Sequence, residues 1–549
     1  MSSTSDRPFI HVLFGSQTGN AEIIAMDASD ALSADGYPTK LLSMDEFGVA
    51  ELADMEHVVI VSSTYDDGNM PDSAQDLWDE LVADAPDLSA IRYAVLSLGD
   101  SSYEFFCAAG RMFDEKLAEL GGQRVLARLD CDLDYERPSQ QWISAITSTF
   151  ASLDGDVSPV EVTTVEVSSS DTPAARWTRQ NPFIATITQS TKLSGSASRK
   201  SVHHVEVDLA DSGIEYLPGD SLGLIPVNPT DLVERLIASL GVNSDDIAPM
   251  QDKTWGELLT HRLELRLPSR DLLKWVAEQA DDEQLRHLLG TPDREAIDAW
   301  LWGRDALDLV EMVPLDRRDA TRIAELLGSL QHRSYSISSS PTESPKKTDL
   351  LVSCVSYHHD GRDRIGAGSA TMMAIESGGL PADSQVAVFL APNPSFRLPA
   401  DDAPVIMVGP GVGVAPFRSF LIERRSCGAI GKNWLFFGDQ HESCDFHYRD
   451  EVTTWQQDGL LTELSTAFSR DQEHKVYVQD KLRERGAEVF AWLQDGAHFY
   501  ICGDGVTMSH SVEAALVEVI AKHGEMPEDA AWDYIANLKR QRRYSQDVY

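Results

Sequence analysis

The stretch FIHVLFGSQTGNAE, residues 9–22, sets the fold of the first part of the chain. An apolar run stops at Gly15, a turn rich in Gly, Ser, Thr and Asn follows, and AEIIAMDASDALSA then has helical spacing. The same rhythm returns at HVVIVSSTY (57–65) and YAVLSLGD (93–100), each an apolar strand opening into a polar loop. Strand, loop and amphipathic helix in alternation predict a parallel, doubly wound α/β sheet over residues 1–150. A loop between strand and helix aims free backbone N–H groups at an anion, and the helix dipole adds to the attraction. Ser16, Gln17, Thr18 and Asn20 can add side-chain contacts. The loop has no P-loop lysine, so a phosphate monoester suits it better than a nucleoside triphosphate with magnesium.

Further along the organisation changes. Residues 151–180 are rich in Ser, Thr, Asp and Pro without a sustained apolar period, which predicts a flexible linker. Strand patterns fill 181–227, helical ones 228–330, and strands return at HRSYSIS, DLLVSCVSYHH and QVAVFLAP. This predicts a β-barrel domain, 181–403, interrupted by a helical insertion. The βαβ rhythm resumes over 404–549 with VIMVGPGVG, KNWLFFGDQ and AHFYICGDG. At 549 residues the chain is too long for one core. It has no run of 18 apolar residues and no signal-peptide pattern, which predicts a cytoplasmic protein. The formal charge of −42, from 88 acidic and 46 basic side chains, disfavours nucleic acid. It suits either a basic protein partner or a salt-adapted proteome. The six cysteines form no CxxC pair, so no metal site is expected.

Two more loops leave the carboxyl edge of the first sheet, STYDDGNMP (63–71) and SLGDSSYEFFCAAG (97–110). Their aromatics, Tyr65 and Tyr103, could sandwich a planar ring beside the phosphate loop, which points to FMN. Here the chain resembles flavodoxin-type FMN domains. The run SLGDSSYEFFCAAGRMFDEKLAELGG resembles the FMN module of bacterial NADPH-dependent sulfite reductase flavoprotein subunits. That resemblance implies FMN contacts from Gly19, Ser63, Thr64, Gly68, Leu98, Gly99, Phe106, Cys107 and Asp130 as well. One departure stands out: Asp66 follows the aromatic where the family usually has Gly.

RSYS (333–336) followed by GAGS (366–369), after LPGD (217–220), makes a second flavin signature. Arg333 offers a fork for a phosphate, and Gly366 and Gly368 admit a close diphosphate. Tyr335 can pack on a ring system and Ser336 can hydrogen-bond near its N5. This arrangement resembles the FAD domain of the ferredoxin–NADP reductase class, with Ala367 and Ser369 completing the turn, and 228–330 resembles the connecting domain of diflavin reductases. GPGVGVAPF (409–417) is a third phosphate turn, with Gly409 and Gly411, and with Val412 where the family commonly has Thr. In SRDQEHKVYVQ (469–479), one loop and strand carry Ser469, Arg470 and Lys475, a cluster suited to an adenosine 2′-phosphate. Tyr477 could stack on adenine and Gln479 could bond nearby. Cys502, in YICGDG with Asp504, is either core packing or a neighbour of the nicotinamide, as the family reading has it.

The terminal RRYSQDVY resembles the ends of sulfite reductase flavoproteins, where a final aromatic covers the FAD ring. Tyr549 is then a lid, and Asp547 is expected near Ser336 and Cys502, stabilising charge during hydride transfer. The diflavin resemblance covers residues 8–549. It implies NADPH oxidation through FAD and FMN toward a haem-protein acceptor, with sulfite reductase haemoprotein favoured and sulfide for cysteine biosynthesis as the product. A soluble NADPH–cytochrome P450 or general haemoprotein reductase is the alternative. A non-catalytic flavin-binding redox sensor or adaptor is a third reading. The sulfite reductase subunit often carries an additional N-terminal segment linked to assembly, and the start directly before the FMN strand leaves the oligomeric state open. Asp tolerates a positive φ less readily than Gly. Asp66→Gly is therefore expected to shift the midpoint potentials of bound FMN in a spectroelectrochemical titration, and identical potentials would refute the role given to this position.

Overall fold

The computed structural model describes residues 7–16, 20–64, 70–99, 105–132, 135–153, 177, 181–249, 253–290, 294–328, 330, 332–373, 385–393, 396–504 and 507–548. Its contacts divide into two compact units. The expected linker falls almost wholly outside the described residues.

The first unit holds six parallel strands: β1 (Ile10–Gly15), β2 (Thr39–Ser43), β3 (His57–Ser63), β4 (Arg92–Leu98), β5 (Gln123–Arg124) and β6 (Leu129–Cys131). They run in the order β2-β1-β3-β4-β5, with β6 also on β4. Helices such as Asn20–Ala34 and Asp72–Asp84 connect them. Most β3 and β4 side chains are buried, as a parallel sheet covered on both faces requires. The order reverses between β1 and β3. That switch point is where the 15–22 loop leaves β1, and it is the place where doubly wound sheets take ligands.

The second unit begins with an antiparallel barrel. Its strands are β7 (Phe183–Lys192), β8 (Ser201–Asp208), β9 (Ser221–Ile225), β10 (Arg333–Ser336) and β11 (Lys347–Cys354). The hairpin β12 (Ser356–His359) and β13 (Arg362–Ile365) and then β14 (Gln385–Ala391) follow. The order is β10-β9-β14-β7-β8-β11. The ends meet through an Ile337–Leu350 bridge, and Ser338 N–H donates to the Asp349 carbonyl at 2.8 Å. Alternating residues Val205, Val207, Leu222, Leu224 and Val388 fill the interior. The stretch DLLVSCVSYHH, expected as one strand, is two: β11 and β12 part at Val355.

Between β9 and β10 lies an all-helical insertion running from Thr230 to Leu326 around its own leucine-rich core. Its helices start on side-chain caps: Thr254, Ser269, Asp282, Asp305 and Asp319 each accept a backbone N–H. Asp305 is also buried against arginines of the β12–β13 hairpin. Arg362 reaches it at 2.9 Å and buried Arg364 bonds the same oxygen.

The chain then forms a parallel sheet from β15 (Val405–Val408), β16 (Asn433–Asp439), β17 (Glu463–Phe468), β18 (His498–Gly503) and β19 (Tyr544–Val548). The order β17-β16-β15-β18-β19 puts a second switch point beside β15, where GPGVG begins. The segment Val476–Gln479, expected as strand, is loop and helix start. Asp480 accepts the Tyr477 N–H at 2.9 Å and opens the helix Val478–Glu484. This local cap overrides the β-branched pattern.

Removing Asp305 takes from buried Arg364 one of its two carboxylates, Asp308 being the other, and takes the side-chain cap from helix Ala306–Met312. Asp305→Ala is expected to destabilise the insertion by about 3–5 kcal/mol, read as lost hydrogen-exchange protection in helix Ala306–Met312.

Candidate functional site

Three sites lie at strand ends. In the first unit, Ser16 N–H donates to Ser73 Oγ at 2.9 Å, and Ser63 Oγ donates to the Gly15 carbonyl at 3.4 Å. Thr64 N–H reaches the Leu98 carbonyl at 2.9 Å, and Thr64 Oγ1 accepts from Ala109 N–H at 3.2 Å. These bonds gather Ser16, Ser63, Thr64, Leu98 and Gly99 at one sheet edge, with Asn20 opening the first helix. At Gly99 an added Cβ would stand 2.6 Å from Cys107 N, so the close approach of these two positions admits only glycine there. Phe106 precedes Cys107, which is fully buried with φ +54. Burial pushes the Cys107 and Cys131 thiols up to about 12, so both are packing groups. Asp130 lies on β6 with its carboxylate taken by Arg128 at 2.7 Å. Gln17, Thr18, Gly19, Tyr65, Asp66, Gly68 and Tyr103 lie outside the described residues. A turn at the switch point, free of lysine, fits an FMN phosphate.

The second site is built on β10. A Cβ on Gly368 would meet Tyr335 Oη at 2.5 Å and Arg333 Cγ at 3.2 Å, so RSYS and GAGS form one cradle that any side chain would fill. Ser369 Oγ accepts from Val355 N–H at 2.8 Å and fixes the turn, with Gly366 N–H on the Val355 carbonyl at 3.0 Å. Ala367 is buried at the start of the short helix Ala367–Met373. One arm of Arg333 holds Glu264 at 3.3 Å. Desolvation pushes the Tyr335 hydroxyl up to about 12, keeping it a neutral ring face.

Beside this cradle Ser336 Oγ donates to Asp547 Oδ2 at 2.6 Å, Asn393 Nδ2 donates to Asp547 Oδ1 at 3.3 Å, and Cys502 Sγ lies 3.7 Å from Oδ2. Cys502 and Asp547 are register partners on β18 and β19. Desolvation raises the Asp547 carboxyl above its usual range, opposed by bonds from Ser336, Cys502 and Asn393. Desolvation and the Asp547 charge push the Cys502 thiol well up, so it is a thiol and not a thiolate. Asn393 and its anchor were not legible in the sequence. Asp220 accepts from Asn393 N–H and Leu217 N–H, and its carbonyl accepts from Ile337 N–H. LPGD therefore fixes both Asn393 and the end of β10. Gly219 permits this with φ +96, and a Cβ there would lie 1.8 Å from the Phe396 carbonyl oxygen. Tyr549 lies outside the described residues.

At the second switch point a cavity of about 610 Å³ is lined by Gly411, Ser469, Arg470, Lys475, Tyr477, Gln479 and Asp504. Asp504 caps the helix Met508–His523, accepting from Thr507 and Met508 N–H. Gly409, Val412 and Cys502 are not on the cavity wall. Gly413 packs beneath it, where a Cβ would meet the Cys502 carbonyl oxygen at 2.1 Å. Lys200, from the barrel, also lines the cavity. No local pattern in SASRKS marks it. The cation set and the phosphate turn fit a 2′-phosphorylated dinucleotide.

The sequence matches the flavodoxin family over residues 12–142, the FAD binding domain over 175–372 and the oxidoreductase NAD-binding domain over 407–514. It is 40% identical over 546 residues to the sulfite reductase (NADPH) flavoprotein alpha-component of Bacillus subtilis, covering 98% of this chain and 89% of the relative. The proteins of the same name from Vibrio cholerae and Klebsiella pneumoniae are 39% and 38% identical, covering 98% and 99% of this chain and 87% and 90% of theirs. The chain belongs to the sulfite reductase (NADPH) flavoprotein alpha-component family. Its three cofactors, FMN, FAD and NADPH, correspond to the three matched domains. For this family member, the cation pair at the cavity carries a direct expectation. Arg470→Ala or Lys475→Ala is expected to raise KM for NADPH roughly tenfold to a hundredfold, the worth of a charge-assisted hydrogen bond, while leaving NADH turnover nearly unchanged in steady-state assays.

Proposed function

We infer that the chain is the reductase arm of a sulfite-reducing enzyme: it draws electrons from NADPH and delivers them through FAD and FMN to a sulfite reductase haemoprotein. The observation that carries this reading is the meeting of Ser336, Cys502 and Asp547 between the FAD cradle and the dinucleotide cavity, on a chain bearing a separate flavodoxin unit. When bound, the cofactors supply hydride donation by NADPH, its acceptance by FAD and single-electron delivery by FMN. Domain limits of 1–150, 181–403 and 404–549 suit this division, with 151–180 as the tether and 228–330 as the connecting insertion.

The residues divide the work. Arg470, Lys475 and Ser469 hold the 2′-phosphate, and Gly409 to Val412 shape the turn for the diphosphate. Arg333 and the 366–369 turn hold the FAD diphosphate, and Tyr335 backs its ring. Ser336, oriented by Asp547, would offer its hydroxyl to a bound flavin. An anionic Asp547 offsets the positive charge that develops on a nicotinamide as hydride leaves. Cys502, neutral and buried, fills the space beside the nicotinamide. Tyr549, outside the described residues, would serve as a lid over a bound flavin. Ser16, Gln17, Thr18 and Asn20 would hold the phosphate of a bound FMN, and Tyr65 and Tyr103 would supply aromatic contacts to it. Among the described residues no helix is long and apolar enough to cross a membrane, which agrees with work in the cytoplasm beside a haemoprotein partner.

The test combines the purified flavin-loaded protein with NADPH and sulfite, with and without sulfite reductase haemoprotein. Sulfide release dependent on both proteins is expected. Flavin bleaching and cytochrome c reduction without any sulfide would favour a general haemoprotein reductase, and absence of bleaching would favour a non-catalytic role.

The Asp547 carboxyl is raised, so its charge is present above that raised value and is lost as pH falls through it. Single-turnover FAD reduction is expected to fall on the acid side with a limb above the ordinary aspartate range, about 4. Asp547→Asn is expected to slow the step at least tenfold and to erase that limb in a stopped-flow pH profile.

A further inference from the structure

Behind the GPGVG turn, a lysine, a carboxylate and an imidazole from three segments meet. Lys200, between β7 and β8, places Nζ 2.5 Å from Asp439 Oδ1 at the end of β16. His447 Nε2 lies 3.3 Å from Asp439 Oδ2. The Asp439 and His447 side chains are 0% exposed, while Lys200 is 34% exposed and lines the cavity. A Cβ built on Gly411 would stand 3.7 Å from Asp439 Oδ2 and 3.9 Å from Lys200 Nζ. The cluster therefore abuts the turn assigned to the diphosphate, and the role argued for it rests on that assignment.

A carboxylate there carries the wrong charge for its task. Lys200 alone would serve an anion, yet Asp439 already neutralises it. An arriving diphosphate has to compete for Lys200 while facing Asp439 a few ångströms away. Burial pushes the Asp439 carboxyl up, and the contacts with His447 and Lys200 more than offset this, leaving it below its usual range. Once Lys200 turns to the ligand, one offset is withdrawn and a further negative charge arrives. Both changes favour a proton on the pair.

His447 can share that proton, because its Nε2 faces the same carboxylate at 3.3 Å, away from solvent. Its ring packs edge-on against Phe437, and neither ring nitrogen nor Asp439 Oδ2 makes a hydrogen bond among the described residues. Neighbouring charges are otherwise engaged. Asp445, whose carbonyl accepts the His447 N–H, gives its carboxylate to Ser198 Oγ and His441 N–H. His441 faces Asp471 at 2.8 Å. Asp504 caps its helix, and Arg470 and Lys475 line the cavity.

We propose that Asp439 and His447 are a proton-gated counter-ion to Lys200: binding of an NADP-type dinucleotide draws one proton from solvent into the pair and frees Lys200 for the diphosphate. The pair passes from a net charge of −1 to zero, and no covalent bond between heavy atoms forms or breaks. The proton belongs to the pair and not to either residue. Linkage then weakens NADP⁺ binding as pH rises, by at most about tenfold per pH unit. The two residues tune affinity and touch no reacting atom.

The test is calorimetric titration of NADP⁺ into the flavin-loaded protein, in buffers of low and high ionisation enthalpy, at neutral pH and one unit to either side. NADP⁺ itself titrates on its 2′-phosphate near pH ~6, equally for every variant, so differences between proteins are read. Wild type is expected to take up more protons than Asp439→Asn or His447→Gln. Asp439→Asn is expected to bind NADP⁺ about fivefold to tenfold tighter at the highest pH, with the gap closing at the lowest. His447→Gln, with Asp439 permanently charged, is expected to bind more weakly. These opposite signs separate the proposal from structural damage, which would weaken both. Equal proton uptake and equal affinity in wild type and Asp439→Asn overturn the proposal while leaving the nucleotide site intact. Failure of all three proteins to bind NADP⁺ overturns the site assignment and the proposal together.

Discussion

One carboxylate joins the parts of the proposed hydride site. Asp547 sits on β19, is reached by Ser336 from the barrel and Asn393 from the loop after β14, and shares a register position with Cys502. Four segments distant in sequence meet there, and each contact constrains a different element. Pairing with β18 fixes the height of Asp547 along the sheet. Asp220 fixes Asn393 and the end of β10 by separate backbone bonds. The LPGD turn, over 300 positions upstream, thus sets where the serine hydroxyl can stand relative to the last strand. A group oriented this way loses little entropy when substrate arrives, which is the physical content of preorganisation.

The seam between barrel and nucleotide sheet uses the same logic with a stronger cation. Arg418 forks onto Glu451 at 2.7 and 3.0 Å, reaches Asp349 at 3.1 Å and the Ser338 carbonyl at 2.9 Å, and stacks on Tyr448. A planar guanidinium satisfies all these partners at once, which a lysine could not. Ser338 directly follows the bridge residue Ile337, so the arginine clamps the barrel where it closes. Rigidity at this seam matters because flavin and nicotinamide must meet within a few tenths of an ångström.

The fold was legible in the sequence wherever the information is local. Apolar runs ending in glycine turns reported the two parallel sheets, because a strand buried on both faces and a phosphate turn each leave a contiguous signature. RSYS and GAGS carried the cradle for the same reason. What escaped was contact at a distance. Lys200 belongs to the barrel but lines the nucleotide cavity, 239 positions from Asp439, and nothing in its neighbours announces that. Asn393 sits in a plain loop. The Val476–Gln479 segment departs from its pattern because β-branched alternation is a weak signal, and a single capping aspartate, Asp480, decides the backbone instead.

The two switch points solve anion binding differently, and the difference follows from the ligands. The segment after β1 has no cation within its own sequence, SQTGN, and the proposed FMN phosphate would rest on dipoles and hydroxyls. A flavin phosphate that stays bound through turnover needs no more, and a lysine there would stabilise negative charge on a flavin whose potential has to be set finely. The turn after β15 serves a ligand that must arrive, react and leave. In a chain of net charge −42 the long-range field opposes a polyanion, so a local reversal of sign is required at the entrance. In the proposed site Arg470 and Lys475 supply it on the surface, where water screens them and release stays fast. Lys200 lies deeper, where an unopposed charge would hold the product tightly, and there Asp439 stands against it. In the proposed site, placing the counter-ion at the half-buried cation and leaving the exposed pair open separates recognition of the 2′-phosphate from control of residence time.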